Sequence, residues 1–392
     1  MLRLLLFLLG IIILVGAELL KIYYIMPFPG SQEDETIRFA YMLHNNIWLF
    51  RILGLALLAW PAWNYLKSGR IWQQWPVIVA LGVWLFIAYM TNFVLLADKL
   101  FKEPKHKKLV SVADNKIPLS DLVVGVSING ESKAYPMEII GYHHQVRDSI
   151  AGMPIMVTYC TVCRTGRVYS PIVDGQPETF RLVGMDHYNA MFEDSRTKSW
   201  WRQVNGEAIV GDLKGKQLEE IPSQQMSLGA WIAAYPETKI MQRDEDFIAK
   251  YDSLALYDEG KMKGRLESKD STSWKDKSWV IGVQSGNHAR AYDWIETLHA
   301  RVINDTIGSQ PVVVAIEHDN VTFHVFQRPD TLTFRENETG FADQQTGSVW
   351  NWQGRCVNGK LLGKELKYQQ AYQEYWHSWR TFRPHTTQYH HD

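Results

Sequence analysis

Two cysteines separated by two residues are the strongest candidates for chemistry in this 392-residue chain. Cys160 and Cys163 end a short apolar run and are followed by two basic residues, Arg164 and Arg167. A Cys-x-x-Cys pair binds a metal ion as two thiolates, cycles between a dithiol and a disulfide, or forms a structural disulfide. The spacing alone does not choose among these three uses.

Metal binding requires ligands besides the two thiolates, and histidine is a common partner. A closed zinc site normally has four ligands, and the chain has no second pair of cysteines. We therefore predict a copper or zinc site that contains Cys160, Cys163 and His143, with His144 or His187 assisting.

The two arginines favour the redox alternative, in which Cys160 and Cys163 form a thiol–disulfide pair. A cation close to a thiol lowers its pKa and increases the thiolate fraction, so Arg164 or Arg167 would activate the pair. The residues after Cys163 are typical of a turn that leads into a strand, which argues against a thioredoxin fold. A third interpretation is an interaction scaffold, in which a disulfide only staples the turn.

Strand patterns surround the cysteines from about Ser111 onward. Leu122–Ile128 and Glu131–Tyr135 flank Asn-Gly, a dipeptide that readily forms the tight turn of a hairpin. Ile155–Tyr159 is a short apolar run typical of a buried strand. The sequence therefore predicts that Cys160 lies at the end of a buried strand.

The soluble region is predicted to contain two tandem copies of one β-rich unit. Val124–Tyr135 resembles Ile281–Tyr292, and the order of similar residues is kept over the rest of both segments. Cys160 aligns with Glu317 and Cys163 aligns with Asn320, so the second copy lacks the cysteine pair. The later matches are Thr197, Ser199, Trp201, Gly206, Gly211, Trp231 and Thr238 in the first copy with Thr346, Ser348, Trp350, Gly354, Gly359, Trp379 and Thr386 in the second.

Three apolar runs in the first hundred residues predict membrane-spanning helices, because about 20 apolar residues cross a bilayer core. They are Leu2–Ile25, Ile47–Leu66 and Pro76–Ala97. The loop at 31–38 is acidic and the loop at 67–70 is basic, which places the N-terminus inside and the large C-terminal part outside. The lysines between 99 and 108 favour the opposite orientation.

The predicted fold class is a three-helix membrane anchor joined to a β-rich (α+β) soluble region of two tandem copies. The predicted parts are the three helices in 1–108, the first repeat with the Cys-x-x-Cys site in 109–242, a charged linker in 243–275, and the second repeat without the cysteine pair in 276–392.

Composition and motifs exclude several classes of function. The net charge of −1 gives no support for a nucleic-acid partner. The chain lacks a Gly-rich phosphate loop, Gly-x-Ser-x-Gly and His-Glu-x-x-His, so a nucleotide cofactor, serine hydrolysis and zinc proteolysis are not predicted. The lipid bilayer is the one partner that the sequence predicts.

Residues 110–390 resemble the domain-of-unknown-function family DUF3179. That resemblance implies a secreted or membrane-anchored bacterial protein, and so a cytoplasmic membrane location with the large domain on the extracytoplasmic side. It implies no established activity. Two positions depart from the pattern expected for the family, since Thr161-Val162 replaces Pro-Leu and His144 replaces an acidic residue. The resemblance rests on Ala134-Tyr135-Pro136, His143 with Val146 and Asp148, Val157-Thr158-Tyr159-Cys160 with Cys163, and Ser199, Trp201, Gln203, Gly206 and Ala208.

Overall fold

The computed structural model describes residues 1–33, 35–258 and 272–390. The chain forms two compact units. The first unit comprises Met1–Lys102, Glu178–Arg202 and Glu207–Gln217, and the second comprises Glu103–Pro177, Gln203–Gly206 and Leu218–Asp392.

Ten α-helices and 26 strands are present in the described residues. The helices are α1 Leu2–Tyr23, α2 Ile37–Asn45, α3 Ile47–Leu66, α4 Ile71–Tyr89, α5 Ala97–Leu100, α6 Met137–His143, α7 Leu228–Ala234, α8 Ile248–Asp258, α9 Trp294–Ala300 and α10 Trp376–Phe382. The strands are β1 Leu109–Val110, β2 Leu122–Ile128, β3 Glu131–Pro136, β4 Gln145–Ile150, β5 Met153–Cys160, β6 Thr165–Tyr169, β7 Ile172–Val173, β8 Gln176–Pro177, β9 Phe180–Asp186, β10 Asn189–Asp194, β11 Trp200–Arg202, β12 Ala208–Val210, β13 Gln224–Ser227, β14 Lys239–Met241, β15 Trp279–Ser285, β16 His288–Asp293, β17 Val302–Ile307, β18 Gln310–Ile316, β19 Phe323–Gln327, β20 Phe334–Asn337, β21 Gly340–Asp343, β22 Val349–Asn351, β23 Cys356–Asn358, β24 Lys367–Tyr368, β25 Ala371–Tyr375 and β26 Thr387–Gln388.

Three helices in the first unit are long and apolar enough to cross a membrane, as the sequence predicts. They span Leu2–Tyr23, Ile47–Leu66 and Ile71–Val94, the last being α4 extended by a π-helical turn. This arrangement is compatible with a membrane anchor. Glycines bring α1 close to α3, since a Cβ atom on Gly54 would lie 2.6 Å from Leu14 Cγ.

A polar network joins the same three helices. Glu18 is fully buried and accepts hydrogen bonds from Arg51 at 2.7 Å and from Thr91 and Asn92 at 3.0 Å. A carboxylate between apolar helices is costly unless it is paired, and these donors provide the pairing. The network therefore fixes α1 against α3 and the end of the third helix.

The first unit also contains one four-stranded antiparallel sheet, in the order β12-β11-β10-β9. The segment after α1 pairs with this sheet, because Met185 N donates to Ile25 O at 2.8 Å. Ile25 is fully buried, and Tyr41 of α2 packs edge-on against Trp200 of β11. The apolar side of the sheet is thus covered by residues that adjoin the helices.

The second unit contains the remaining sheets. They have the orders β1-β14-β3-β2-β13, β4-β5-β6, β7-β8, β25-β15-β16-β26, β17-β18-β19-β24 and β20-β21-β22-β23. The predicted hairpin at the start of the region is present, with β2 and β3 joined by Asn129 and Gly130, both at positive φ.

We use the name first β segment for residues 109–242 and second β segment for residues 276–390. The order β2-β3-α6-β4-β5-β6 in the first is matched by β15-β16-α9-β17-β18-β19 in the second. Residues 243–275, predicted as a linker, contain a 3₁₀ turn at Glu245–Phe247 and α8. Residues 259–271 of that stretch lie outside the described residues.

Candidate thiol site

The cysteine pair lies at the tip of the β5–β6 hairpin. The two strands are antiparallel, and Cys160, the last residue of β5, is opposite Thr165, the first residue of β6. Cys163 lies in the four-residue turn between them, which ends at Arg164 with φ 58°. A buried strand therefore leads into the site and a second strand leads out, as the sequence predicts.

Both cysteines are fully buried, and neither is part of a disulfide. They are also in hydrogen-bond contact with each other. Burial raises the pKa of the Cys163 thiol well above its usual value, and the neighbouring Cys160 raises it further. Cys163 is therefore a neutral thiol at physiological pH.

Three donors from the second β segment hold the turn between the cysteines. Lys277 Nζ donates to Val162 O at 2.8 Å, and Tyr375 N donates to Cys163 O at 3.0 Å. His377 Nε2 lies 3.1 Å from the same Val162 oxygen. The Lys277 ammonium also lies over the ring of Tyr375, 4.0 Å from its centroid. The turn is thus fixed by residues more than a hundred positions away in sequence.

Arg164 is buried and engaged with the second β segment. Its Nε donates to Gln373 Oε1 at 3.0 Å, and the guanidinium lies 3.9 Å from the centroid of the Trp279 ring. Such planar stacking suits arginine, whose guanidinium is weakly hydrated.

Arg167 is fully buried and forms an ion pair with the buried carboxylate of Glu374. Its Nε also donates to Val204 O at 3.1 Å, and its guanidinium lies 3.5 Å from the centroid of the Tyr372 ring. Burial disfavours the charge of Arg167, but Glu374 and other neighbours raise its pKa overall. Arg167 therefore keeps its charge and ties the hairpin to β25.

The two adjacent histidines are buried at the end of α6. His143 Nε2 lies 2.7 Å from the hydroxyl of Tyr251, which is carried by α8. His144 has φ 60°, and its Nδ1 lies 3.2 Å from Tyr142 O. Burial lowers the pKa of His144 to about 4, so its imidazole is neutral at physiological pH.

His187, the third predicted ligand, belongs to the first unit, whereas the cysteines belong to the second. Its Nδ1 is 2.7 Å from Asp186 Oδ1, and this hydrogen bond raises the pKa of the imidazole. Arg202 holds the other oxygen of Asp186 at 2.6 Å. Within residues 1–33, 35–258 and 272–390, no group of three or more His, Cys, Asp or Glu residues is arranged to hold a metal ion.

Sequence reasoning missed the residues of the second β segment that surround the thiols. The alignment of the two segments could have identified these residues. At their positions, small or apolar residues of the first segment align with polar or aromatic residues of the second. The aligned pairs are Met226 with Glu374, Ser227 with Tyr375, Gly229 with His377 and Ala230 with Ser378.

These features define a β-rich protein with a buried dithiol, in a chain that also has three helices apolar enough to span a membrane. The chain belongs to the family DUF3179, whose model matches residues 102–386 and is described as a protein of unknown function. No curated protein and no solved structure matches the chain.

Proposed function

We propose that Cys160 and Cys163 cycle between a dithiol and a disulfide in a membrane-anchored bacterial protein. The observation that supports this proposal is the contact between two buried thiols across one short turn. Two sulfur atoms in contact need little movement to form a bond. The redox step is therefore local to the hairpin tip.

The electron acceptor is an external disulfide. One cysteine first loses its proton, a step that burial disfavours, and the thiolate so formed attacks a sulfur of that disulfide. One acceptor thiol leaves as a mixed disulfide forms. The second cysteine then attacks the mixed disulfide and releases the second acceptor thiol. The protein loses two electrons and two protons, and the acceptor gains them. Because both sulfur atoms are buried, the acceptor must be small or the tip must open.

We also propose that the second unit lies outside the cytoplasm, anchored in the cytoplasmic membrane by the three N-terminal helices. The acidic loop after the first helix and the basic loop after the second support this orientation. Disulfides form and persist in such an oxidising compartment. The location thus suits the proposed chemistry.

We further propose that the two β segments are copies of one unit. Matched contacts support this interpretation. Trp231 Nε1 donates to Thr238 and Trp379 Nε1 donates to Thr386, both at 2.8 Å. In other matched contacts, Tyr135 donates to Asp148 at 2.8 Å and Tyr292 donates to Asp305 at 2.9 Å.

The redox proposal is tested on the full chain in detergent micelles. The protein is equilibrated with mixtures of reduced and oxidised dithiothreitol, free thiols are trapped with acid and alkylated, and the products are mapped by mass spectrometry. We expect reversible formation of one disulfide between Cys160 and Cys163, with Cys356 remaining a thiol. Cys160→Ser is the control. A pair that never oxidises, or that cannot be reduced in the folded protein, contradicts the proposal.

Metal binding is a second candidate, and the same contact between the two sulfur atoms favours it. Two soft thiolates suit Cu(I), whereas a closed zinc site needs four ligands. The remaining predicted ligands are His143, His144 and His187, each of which has a hydrogen-bond partner other than a thiol. Copper and zinc are measured in the same purified sample. Stoichiometric metal in wild type that is absent from Cys160→Ser with Cys163→Ser supports this function, and equal metal content contradicts it.

A further inference from the structure

The backbone carbonyl of Val162 lies between the two cysteines and receives two donors from the second β segment. The buried Lys277 Nζ is at 2.8 Å and His377 Nε2 is at 3.1 Å. Burial of an ammonium group is costly, so its hydrogen bond to a carbonyl and its contact with Tyr375 are needed to offset that cost. A lysine in this position is therefore a specific feature of the site.

Rigid elements position these two donors. Lys277 lies just before β15, and His377 lies in the first turn of α10, directly after β25. The strands β15 and β25 are paired, with Trp279 opposite Tyr375. His377 N also donates to Asp276 O at 3.0 Å, which links the two donor segments to each other. Lys277 and His377 are thus held next to each other by backbone hydrogen bonds.

We propose that the second β segment sets the balance between the dithiol and the disulfide, and that it does so through the hydrogen bond from Lys277 to Val162. This inference rests on the proposed redox function. Fixing the Val162 carbonyl fixes the turn and keeps one sulfur atom in reach of the other. A fixed geometry raises the effective concentration of one thiol toward the other and so favours the disulfide.

The positive charge of Lys277 alone would have the opposite effect. A cation near a thiolate stabilises the reduced form, so its removal would favour the disulfide. Restraint of the turn predicts that removal of Lys277 disfavours the disulfide. The sign of the change therefore separates a positioning residue from a counter-ion.

The experiment compares Lys277→Met with wild type in the full chain, in detergent micelles and at one neutral pH. The equilibrium ratio of disulfide to dithiol in a fixed dithiothreitol mixture is measured by alkylation and mass spectrometry. We expect Lys277→Met to lower this ratio by about tenfold, the order expected when a hydrogen bond from a charged donor no longer restrains the turn. Lys277→Arg keeps a cationic donor and is expected to restore most of the ratio.

Matched variants separate this effect from a general loss of structure. Lys275 lies two residues away with an exposed side chain, so Lys275→Met is expected to leave the ratio at the wild-type value. His377→Ala removes the second donor and is expected to lower the ratio by a smaller factor. It also serves as the test if Lys277→Met does not fold, as judged by its thermal unfolding.

An unchanged or increased ratio in Lys277→Met overturns the inference, as does a failure of Lys277→Arg to restore it. In both cases wild type still cycles, so the redox function itself stands. If wild type forms no reversible disulfide, the redox proposal fails first and the inference fails with it.

Discussion

Two hairpins, β5–β6 and β18–β19, both join antiparallel strands but have different residues at their tips. In sequence, Cys160 and Cys163 of the first tip align with Glu317 and Asn320 of the second. Glu317 Oε1 lies 2.6 Å from His324 Nε2, so the second hairpin has a hydrogen bond between two of its own side chains. The first tip instead has two thiols and is held by groups of the other β segment.

The strands next to the two tips show the same contrast. Gln373 N donates to Gln225 Oε1 at 2.9 Å, and Gln225 Nε2 donates back to Gln373 O at 3.4 Å. Beyond this reciprocal pair, Tyr375 N donates to Cys163 O, whereas Ser227 N donates to the hydroxyl of Thr322. The two hairpin tips therefore differ in their contacts: the first has two buried thiols and is held by the second β segment, and the second has a polar contact between its own side chains.

The largest expected difference between the two tips is the loss in free energy of unfolding when a carboxylate that contacts each hairpin is neutralised. Glu374→Gln leaves the fully buried Arg167 without its closest counter-ion, and we expect a loss of about 3–5 kcal/mol in the free energy of unfolding. Glu317→Gln is expected to cost about 1 kcal/mol, because it weakens a single hydrogen bond between a carboxylate and an imidazole. Chemical denaturation measures both values. Equal costs would contradict the distinction between the tips.

Two glycines test whether the first and second β segments have equivalent packing, because replacement of either glycine should reduce stability by a similar amount. A Cβ atom on Gly125 would lie 2.3 Å from Trp231, and one on Gly282 would lie 2.2 Å from Trp379. We expect Gly125→Ala and Gly282→Ala each to reduce the free energy of unfolding by about 1–3 kcal/mol, since the packed rings must shift. Gly82→Ala, where a Cβ atom would meet no described atom within 4 Å and φ is not positive, is the control for a glycine replacement without a clash. A large loss in the free energy of unfolding at only one of the two glycines would contradict equivalent packing in the two segments.

His377, which aligns in sequence with Gly229, is expected to make the first tip sensitive to acid. Burial lowers its pKa to about 4 from the usual 6.5. The unfolded chain therefore takes up a proton below pH 6.5, whereas the folded protein resists it down to about pH 4. The contribution of His377 to stability is complete above pH 6.5 and is lost as the pH decreases, by about 2 kcal/mol at pH 5 and about 3 kcal/mol at pH 4. Denaturation at pH 7 and pH 5 measures this loss, and His377→Gln should reduce the pH dependence.

The smallest expected effect concerns the matched tyrosine–aspartate pairs. Tyr135→Phe and Tyr292→Phe each remove one hydrogen bond to a carboxylate, and we expect each to cost about 1–2 kcal/mol. The cost at Tyr135 should be the smaller, because two cations, Lys107 and Lys133, also contact Asp148, whereas Arg290 alone pairs with Asp305 among the described contacts. Thermal unfolding of the two variants gives the comparison, and a much larger loss at Tyr135 would argue against equivalent roles.

Local patterns in the sequence were sufficient to predict the local elements. The three apolar runs, the hairpin of β2 and β3, and the strand that ends at Cys160 are all present. The surroundings of the thiols were not predicted, because they depend on contacts between distant residues. Arg167 and Glu374 are separated by 207 positions, and neither is part of a periodic pattern that indicates the other.

The two compact units are not continuous segments of the chain, and the sequence patterns do not predict this division. Strands β9–β12 lie within the predicted first repeat but group with the N-terminal helices. The residues of these strands do not indicate which part of the chain covers the sheet that they form. The contacts of Ile25 and Tyr41 with the sheet show that residues near the N-terminal helices cover it.

The pairing of Ile25 with β9 bears on how this protein can be cut into pieces for study. A fragment that begins after the third helix lacks Ile25, Ala40 and Tyr41, all of which cover the sheet formed by β9–β12. Trp200, Met191 and Val183, now buried, would then face water as one apolar patch. Such a fragment is expected to aggregate even though its own thiol site is intact. The N-terminal helices are in this sense a part of the folded protein and not a removable tether.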